Sequence, residues 1–276
     1  MSGVDSGRAP SVSVIICWRD RLELGRTLRE NLPLLRARDV EIVVVNYGGQ
    51  AAPLDALLAE SGAAVRLVEV RAEAFNKSRA LNIGIHFARG DYVLLLDADV
   101  ILREFDFERA IALVDDGAWV TLKKVVESEA RARPPGRLAQ FASCFELVLD
   151  DGRGVRVETK RSYLGEGARS CAGIMLLKRA DVIRIGGFHS GLEGWGWEDI
   201  DLHVRLSLVL QRRHAELGEG VHLSHGDERR SYVGASPDAN NHRNQQRCLQ
   251  RYNAGDFAGT YLADTQAFDF THVAAT

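Results

Sequence analysis

Tyr92-Val93-Leu94-Leu95-Leu96-Asp97-Ala98-Asp99 is an apolar run of strand length that ends abruptly on two carboxylates. An unbroken apolar run, unlike an alternating one, marks a strand buried on both faces, as in a parallel sheet covered by helices. The flanking residues fit that setting. Upstream, Asn76 is placed to cap a helix over 77–88, which Gly90 ends before the strand begins. Further upstream, Val12-Ser13-Val14-Ile15-Ile16-Cys17 and Glu41-Ile42-Val43-Val44-Val45-Asn46 are two more runs rich in β-branched residues, and 65–70 is a third. Between them the spacing of Leu22, Leu24, Leu28, Leu32 and Leu35 predicts one helix, and 54–59 a shorter one. Strands alternating with helices predict an α/β fold: a Rossmann-like, mostly parallel central sheet with helices on both faces.

Downstream of Asp99 the pattern loosens. It predicts a helix over 107–114, a strand over 119–122 and an amphipathic helix over 137–149. The glycine-rich, charged stretch 150–169 shows no period and reads either as a functional loop or as a surface insertion. A strand over 172–177, helices over 180–185 and 198–212, and a short strand closing at 222–225 follow. The expected organisation is a disordered lead-in over 1–10, a single catalytic domain over 11–234, and a tail over 235–276 with one helix at 242–252.

The 276 residues are 46% hydrophobic, ample for a packed core, and their formal net charge of -3 provides no overall basic surface. No nucleic-acid partner is expected from that balance. No apolar run reaches bilayer length, and the N-terminal stretch lacks the apolar centre of a signal peptide, so a soluble, cytoplasmic protein without a transmembrane segment is expected. Cys17, Cys144, Cys171 and Cys248 form no close pair and read as reduced, mostly buried thiols.

Asp97 and Asp99 leave the carboxyl end of their strand, where open α/β sheets bind ligands. Alternate residues of extended chain point to one side, so the pair could hold a divalent cation that bridges diphosphate oxygens; a turn with capping carboxylates is the plainer reading. Gly194-Trp195-Gly196-Trp197-Glu198-Asp199-Ile200-Asp201 precedes a helical pattern, and acidic residues suit a helix N-terminus. Two indoles beside glycines add what capping does not require. They can form a platform for a sugar ring, with carboxylates for polar contacts. His222 and His225 could add nitrogen ligands to Asp99. Arg19 and Arg21 follow the first strand, and Lys77 and Arg79 open a helix whose N-terminus favours phosphate; each pair also reads as solvated charge.

In order, these pieces resemble the GT-A-type glycosyltransferases, in particular the β-1,4-galactosyltransferase family and glycosyltransferase family 2, with the polypeptide N-acetylgalactosaminyltransferases as relatives. Trp18-Arg19-Asp20-Arg21 is similar to a Phe-Arg-x-Arg motif, and Phe75-Asn76-Lys77 with Leu81-Asn82-Ile83-Gly84 to Phe-Asn-Arg and Leu-Leu-Asn-Val-Gly. Asp97-Ala98-Asp99 is similar to the Asp-Val-Asp metal motif. Cys171-Ala172-Gly173-Ile174 with Ile185-Gly186-Gly187-Phe188 resembles a Gly-Gly-Val to Asn-Gly-Phe stretch, and Trp195-Gly196-Trp197-Glu198-Asp199 resembles Trp-Gly-Gly-Glu-Asp. His222-Leu223-Ser224-His225 falls where the family has methionine or histidine before a ligand histidine. Cys17 stands where the family has proline, Lys77 where it has arginine, and Ile200 interrupts its acidic run.

The resemblance implies a metal-dependent enzyme. It would move galactose, N-acetylgalactosamine or a related hexose from a UDP-sugar to a hydroxyl of a glycan, peptide or natural product, with inversion. It implies donor contacts from Arg19, Arg21, Phe75, Asn76, Lys77, Asp97 and Gly173, and an acceptor pocket from Trp195, Gly196 and Trp197. Mn²⁺ would be held by Asp99 and His225 with help from Asp97 and His222. Asp199 would be the base, kept ionised by the helix N-terminus and the metal, with Glu198 beside it. Two other readings stay open: a sugar-nucleotide pyrophosphorylase, which would need a glycine-rich loop near the first strand, and an inactive nucleotide-sugar-binding module, which would never release nucleoside diphosphate.

Overall fold

A computed structural model of the chain describes residues 11–38, 40–129, 136–226 and 231–266, with the backbone of 270–273; the lead-in expected over 1–10 lies outside them. Strands β1 (Val12–Trp18), β2 (Glu41–Tyr47), β3 (Arg66–Val70) and β4 (Tyr92–Leu95) alternate with helices α1 (Glu23–Arg36), α2 (Ala51–Ser61) and α3 (Lys77–Phe87). The strands pair in parallel in the order β3-β2-β1-β4. Val14 and Ile16 of β1 pack with Leu24, Leu28 and Leu54 of α1 and α2, whereas Ile15 packs on the opposite face with Ile83 and Ile85 of α3. Burial on both faces explains the unbroken apolar runs. Asn76 caps α3 as expected, its side chain accepting the Arg79 N–H at 2.9 Å.

The rest of the chain forms β5 (Val100–Glu104), α4 (Phe107–Asp115), β6 (Ala118–Glu127), β7 (Gln140–Val148), β8 (Gly154–Tyr163) and β9 (Ala168–Lys178). After these come α5 (Arg179–Arg184), α6 (Glu198–Leu210), β10 (Arg213–Glu216), β11 (Glu219–His222), α7 (Pro237–Asn253), α8 (Tyr261–Gln266) and β12 (Phe270–Val273). The architecture is α/β, with one large sheet flanked by helices. Its parallel character is concentrated in β3-β2-β1-β4. Strand β9 runs antiparallel to both β4 and β6; β11 then lies parallel to β6 and antiparallel to β5, and β12 adds antiparallel to β3.

The helix expected over 137–149 is strand β7, and the loop expected over 150–169 is mostly strand β8 and the turns beside it. The spacing of Leu138, Phe141 and Phe145 imitates a helical stripe, but Phe145, Leu147 and Leu149 turn inward at a period of two onto the apolar cluster of Val157, Trp197, Ile200 and Val204. Asp151-Gly152 makes the hairpin turn, with Gly152 at φ 84° and its N–H donating to Leu149 O at 3.0 Å. That tertiary contact decides between two patterns the local sequence allows. All four cysteines are free; Cys171 and Cys248 are buried, but Cys144 lies exposed on β7. Among the described residues no helix is long and apolar enough to cross a membrane.

Candidate active site and metal centre

Strand β11 and the residues just after it carry two histidines onto Asp99. The strand pairs antiparallel with β5, placing His222 opposite Val100, and the Leu223 N–H then donates to Asp99 O at 2.8 Å. His225 Nε2 lies 3.2 Å from Asp99 Oδ2, and His222 Nε2 lies 3.7 Å from Oδ1. One ligand atom from each of the three residues falls within 4.8 Å of the others. Parallel pairing of β11 with β6 sets Glu127 beside His222, whose Nδ1–H donates to Glu127 Oε2 at 2.6 Å; the His225 Nδ1–H donates to Gly226 O at 2.9 Å. Both rings therefore direct Nε2 at Asp99, the nitrogen that would ligate a metal once unprotonated.

The charges agree with that geometry. Burial pushes the Asp99 carboxyl up, but the His225 hydrogen bond and the charges of His222 and Arg21 outweigh it and hold the group below its ordinary value. Burial likewise opposes the ionisation of Glu127, yet His222 and Arg169 bring it down to about 2. Two imidazole nitrogens and a carboxylate oxygen, oriented from behind, fit a divalent cation of borderline softness. Glu127→Gln should lower Mn²⁺ affinity by roughly 10- to 100-fold, the usual cost of losing a partner behind a ligand histidine, as read by calorimetry. Unchanged affinity would remove His222 from the ligand set.

Asp97 does not join this group. β4 ends at Leu95, and a turn follows in which Val100 N–H donates to Asp97 O at 3.3 Å, so the two carboxylates diverge instead of sharing a side as they would on extended chain. Asp97 Oδ1 lies 2.8 Å from Lys77 Nζ, which also lies 3.6 Å from Glu198 Oε1. A Cβ at Gly173 would sit 3.6 Å from Asp199 Oδ2 and 3.8 Å from Lys77 Nζ, so this glycine leaves open the space over both groups. Lys77, Asp97, Gly173, Glu198 and Asp199 thus form one polar cluster. Burial tends to lower the Lys77 pKa, but Asp97, Glu198 and Asp199 together raise it well above its ordinary value. Burial and then the Glu198 charge push Asp199 up to about 7, against the pull of Lys77 and of the Ile200 N–H. The helix N-terminus does not keep Asp199 strongly acidic, because desolvation and a like charge outweigh it.

The remaining expected residues divide. Trp18 is fully buried and its Nε1–H donates to Arg21 O at 2.7 Å, fixing the turn that brings Arg21 Nη1 to 3.8 Å from Asp99 Oδ2. Arg19 turns away, its Nη2 donating to Glu73 O at 2.8 Å, and Arg79 pairs with Asp264 at 3.0 Å. Phe75 packs edge-on to Tyr47, and the Asn76 amide is occupied at both ends, by Arg79 N–H and by Ser190 O. Of the two tryptophans only Trp195 shows a face, at 37% exposure; Trp197 is 6% exposed and packs inward against Phe145, so it forms no part of an open sugar platform. Gly196 is buried in the loop between them. Glu127 went unnoticed in the sequence because only the β11–β6 register brings it to His222.

Residues 13–180 match the family described as Glycosyl transferase family 2. The chain belongs to that family. Members of glycosyl transferase family 2 are enzymes of glycosyl transfer, and the matched span holds Lys77, Asp97, Asp99 and Gly173. A second pattern, described as the N-terminal domain of galactosyltransferase, matches residues 153–226, which hold Trp195 to Asp199 and both histidines. No curated protein matches the chain. Among solved structures, S. aureus TarS 1-349 is similar with a TM-score of 0.50 and 15% identity, covering 92% of this chain and 70% of that one, a likeness of fold. TarS 1-349 in complex with UDP gives a TM-score of 0.47 at 16% identity and 87% coverage of this chain, and a longer TarS structure gives the same three values. The chain spans 63% of the former and 39% of the latter.

Proposed function

We propose that this member of glycosyl transferase family 2 moves a hexose from a UDP-sugar to an acceptor hydroxyl with inversion, dependent on a divalent cation such as Mn²⁺. One observation carries the reading: the Asp97-Ala98-Asp99 turn gives one carboxylate to two histidines and the other to Lys77, so a cation site and an acid–base cluster share a single turn. A cation held by Asp99, His222 and His225 would neutralise the charge that develops on a diphosphate leaving group. Arg21, already beside Asp99, is placed to contact the same phosphates. Asp199 takes the acceptor hydroxyl proton. Glu198 Oε2, buried and without a hydrogen-bond partner among the described residues, is available to a sugar hydroxyl, and the exposed face of Trp195 receives the acceptor. The uridine and hexose assignment rests on the motif resemblance.

The test is a thermal-shift panel of nucleotide sugars with and without Mn²⁺, followed by UDP release and the anomeric configuration of the product. Binding without UDP release marks a binding module, and full turnover by exhaustively chelated protein ends the metal-dependent reading. With Mn²⁺ and donor saturating, turnover should rise with pH through about 7, because the raised Asp199 carboxyl holds a proton below that pH and accepts one only above it. A profile flat from pH 6 to 8 would assign the base elsewhere.

A further inference from the structure

The segment that carries Trp195, Glu198 and Asp199 is held by a helix that lies beyond both family matches. One face of α7 presents Asn240, Asn244, Cys248 and Tyr252 at successive four-residue intervals, and all four are buried. Such a stripe in a globular helix is ordinarily apolar. Here its first two residues are asparagines with no exposed surface. Asn240 Nδ2 donates to Glu193 O at 2.9 Å and to Trp195 O at 2.8 Å; Asn244 Nδ2 donates to Glu193 O at 3.1 Å and to Gly196 O at 2.8 Å. Asn240 Oδ1 in turn accepts the Val233 N–H at 2.6 Å. The contacts require glycine in the loop: a Cβ on Gly194 would meet Asn240 Oδ1 at 2.4 Å, and one on Gly196 would meet Asn241 Oδ1 at 2.3 Å. Both glycines have positive φ, 72° and 97°. At its other end the stripe reaches α6, where the Tyr252 hydroxyl donates to Asp201 at 2.8 Å.

Loop carbonyls bonded in this way cannot drift without leaving buried amide donors unpaired. We propose that α7 is the positioning element of the acceptor segment, with Asn240 and Asn244 as positioning residues that fix Trp195 and the start of α6 for the reaction. The proposal rests on the functional reading above. The asparagines touch no substrate. They set where the indole and the two carboxylates stand, and displacement of such groups by about 1 Å can cost about a hundredfold in rate. The metal group stands elsewhere, in the turn between β4 and β5 and at and just after the end of β11, so UDP and Mn²⁺ binding should not depend on α7.

The experiment compares full-length Asn240→Ala and Asn244→Ala with Gln246→Ala, at an exposed position of the same helix. UDP with Mn²⁺ is the binding probe, by calorimetry. Acrylamide quenching of Trp195, isolated by difference against Trp195→Phe in each background, reports the loop, since Trp18, Trp119 and Trp197 are buried. In both asparagine variants UDP–Mn²⁺ affinity should stay within about threefold, Trp195 quenching should at least double, and UDP release from the donor should fall about tenfold or more. Gln246→Ala should change none of these. Folded variants with parental quenching and turnover overturn the proposal, as does a common loss of UDP–Mn²⁺ binding and turnover without greater quenching. If the alanine variants do not fold, Asn244→Ser, with one hydroxyl donor in place of the amide, takes their place in the same comparison, and parental quenching and turnover in it overturn the proposal. If the parent releases no UDP from any donor, the catalytic reading fails, while Trp195 quenching still decides whether α7 holds the loop.

Discussion

Asp199→Asn is expected to transfer sugar at least about a hundredfold more slowly than the parent, the usual scale for a lost general base, and yet to be more stable above neutral pH. The two effects have one source. A carboxyl raised to about 7 in the folded chain and ordinary in the unfolded chain contributes stability at low pH that is lost as pH rises through 7, because the folded protein then holds an unfavourable buried charge. The neutral amide is close in shape, can still accept the Ile200 N–H, and carries no charge against Glu198. Melting curves at pH 8 should therefore move upward for Asp199→Asn, while UDP–Mn²⁺ binding stays near that of the parent. If Asp199→Asn transfers at nearly the parental rate and Glu198→Gln does not, Glu198 is the base.

The second large effect belongs to a residue two positions on with a different task. Asp201 and Arg205 form an ion pair at 2.7 Å with neither side chain exposed, and Tyr252 donates a further hydrogen bond to the carboxylate. Burial opposes the Asp201 charge, but Arg205 and Arg251 outweigh it and keep the carboxyl below its ordinary value. Asp201→Asn leaves the Arg205 charge buried and unpaired, which should cost about 3–5 kcal/mol, far more than the loss of a favourable charge at a helix start. In a chain of this size that lowers the melting temperature by about 10 °C. The double variant Asp201→Leu/Arg205→Met should recover most of the loss, since apolar replacement of both partners is often neutral. A single variant that melts within 2 °C of the parent, roughly the shift from half a kcal/mol, would show the pair to be unimportant.

The parallel half of the fold was legible because its strands are buried on both faces, so β1, β2 and β4 announce themselves without reference to anything distant. The hairpin of β7 and β8 was not: its apolar residues satisfy a helical and a strand spacing alike, and the choice is made by Phe145 and Leu147 meeting α6. In the site, Asp99, His222, His225, Lys77 and Asp199 could be picked out as residue types in order along the chain. What the order could not convey was the partition of the acidic turn, with Asp97 going to Lys77 and only Asp99 to the histidines. Glu127 and the asparagines of α7 were invisible for a related reason. Each acts through a register or a helix face that exists only after folding, although the four-residue spacing of Asn240, Asn244, Cys248 and Tyr252 is a trace of it.

Trp197 occupies the left-handed region at φ 74°, where a side chain costs about 1–2 kcal/mol and where the resembled motif has glycine. The residue remains there because its ring is buried against Phe145 of the hairpin, and an aromatic side chain removes some 150–250 Å² from water when it is buried. Strain in the backbone and adhesion of the ring are thus set against each other at the residue immediately before Glu198. Were the hairpin to lift away, the ring would lose its partner and the main chain could relax toward an ordinary conformation, turning the start of α6 with it. The β7–β8 arm is therefore the clamp on that strained peptide, which stands one residue from Glu198 and two from Asp199.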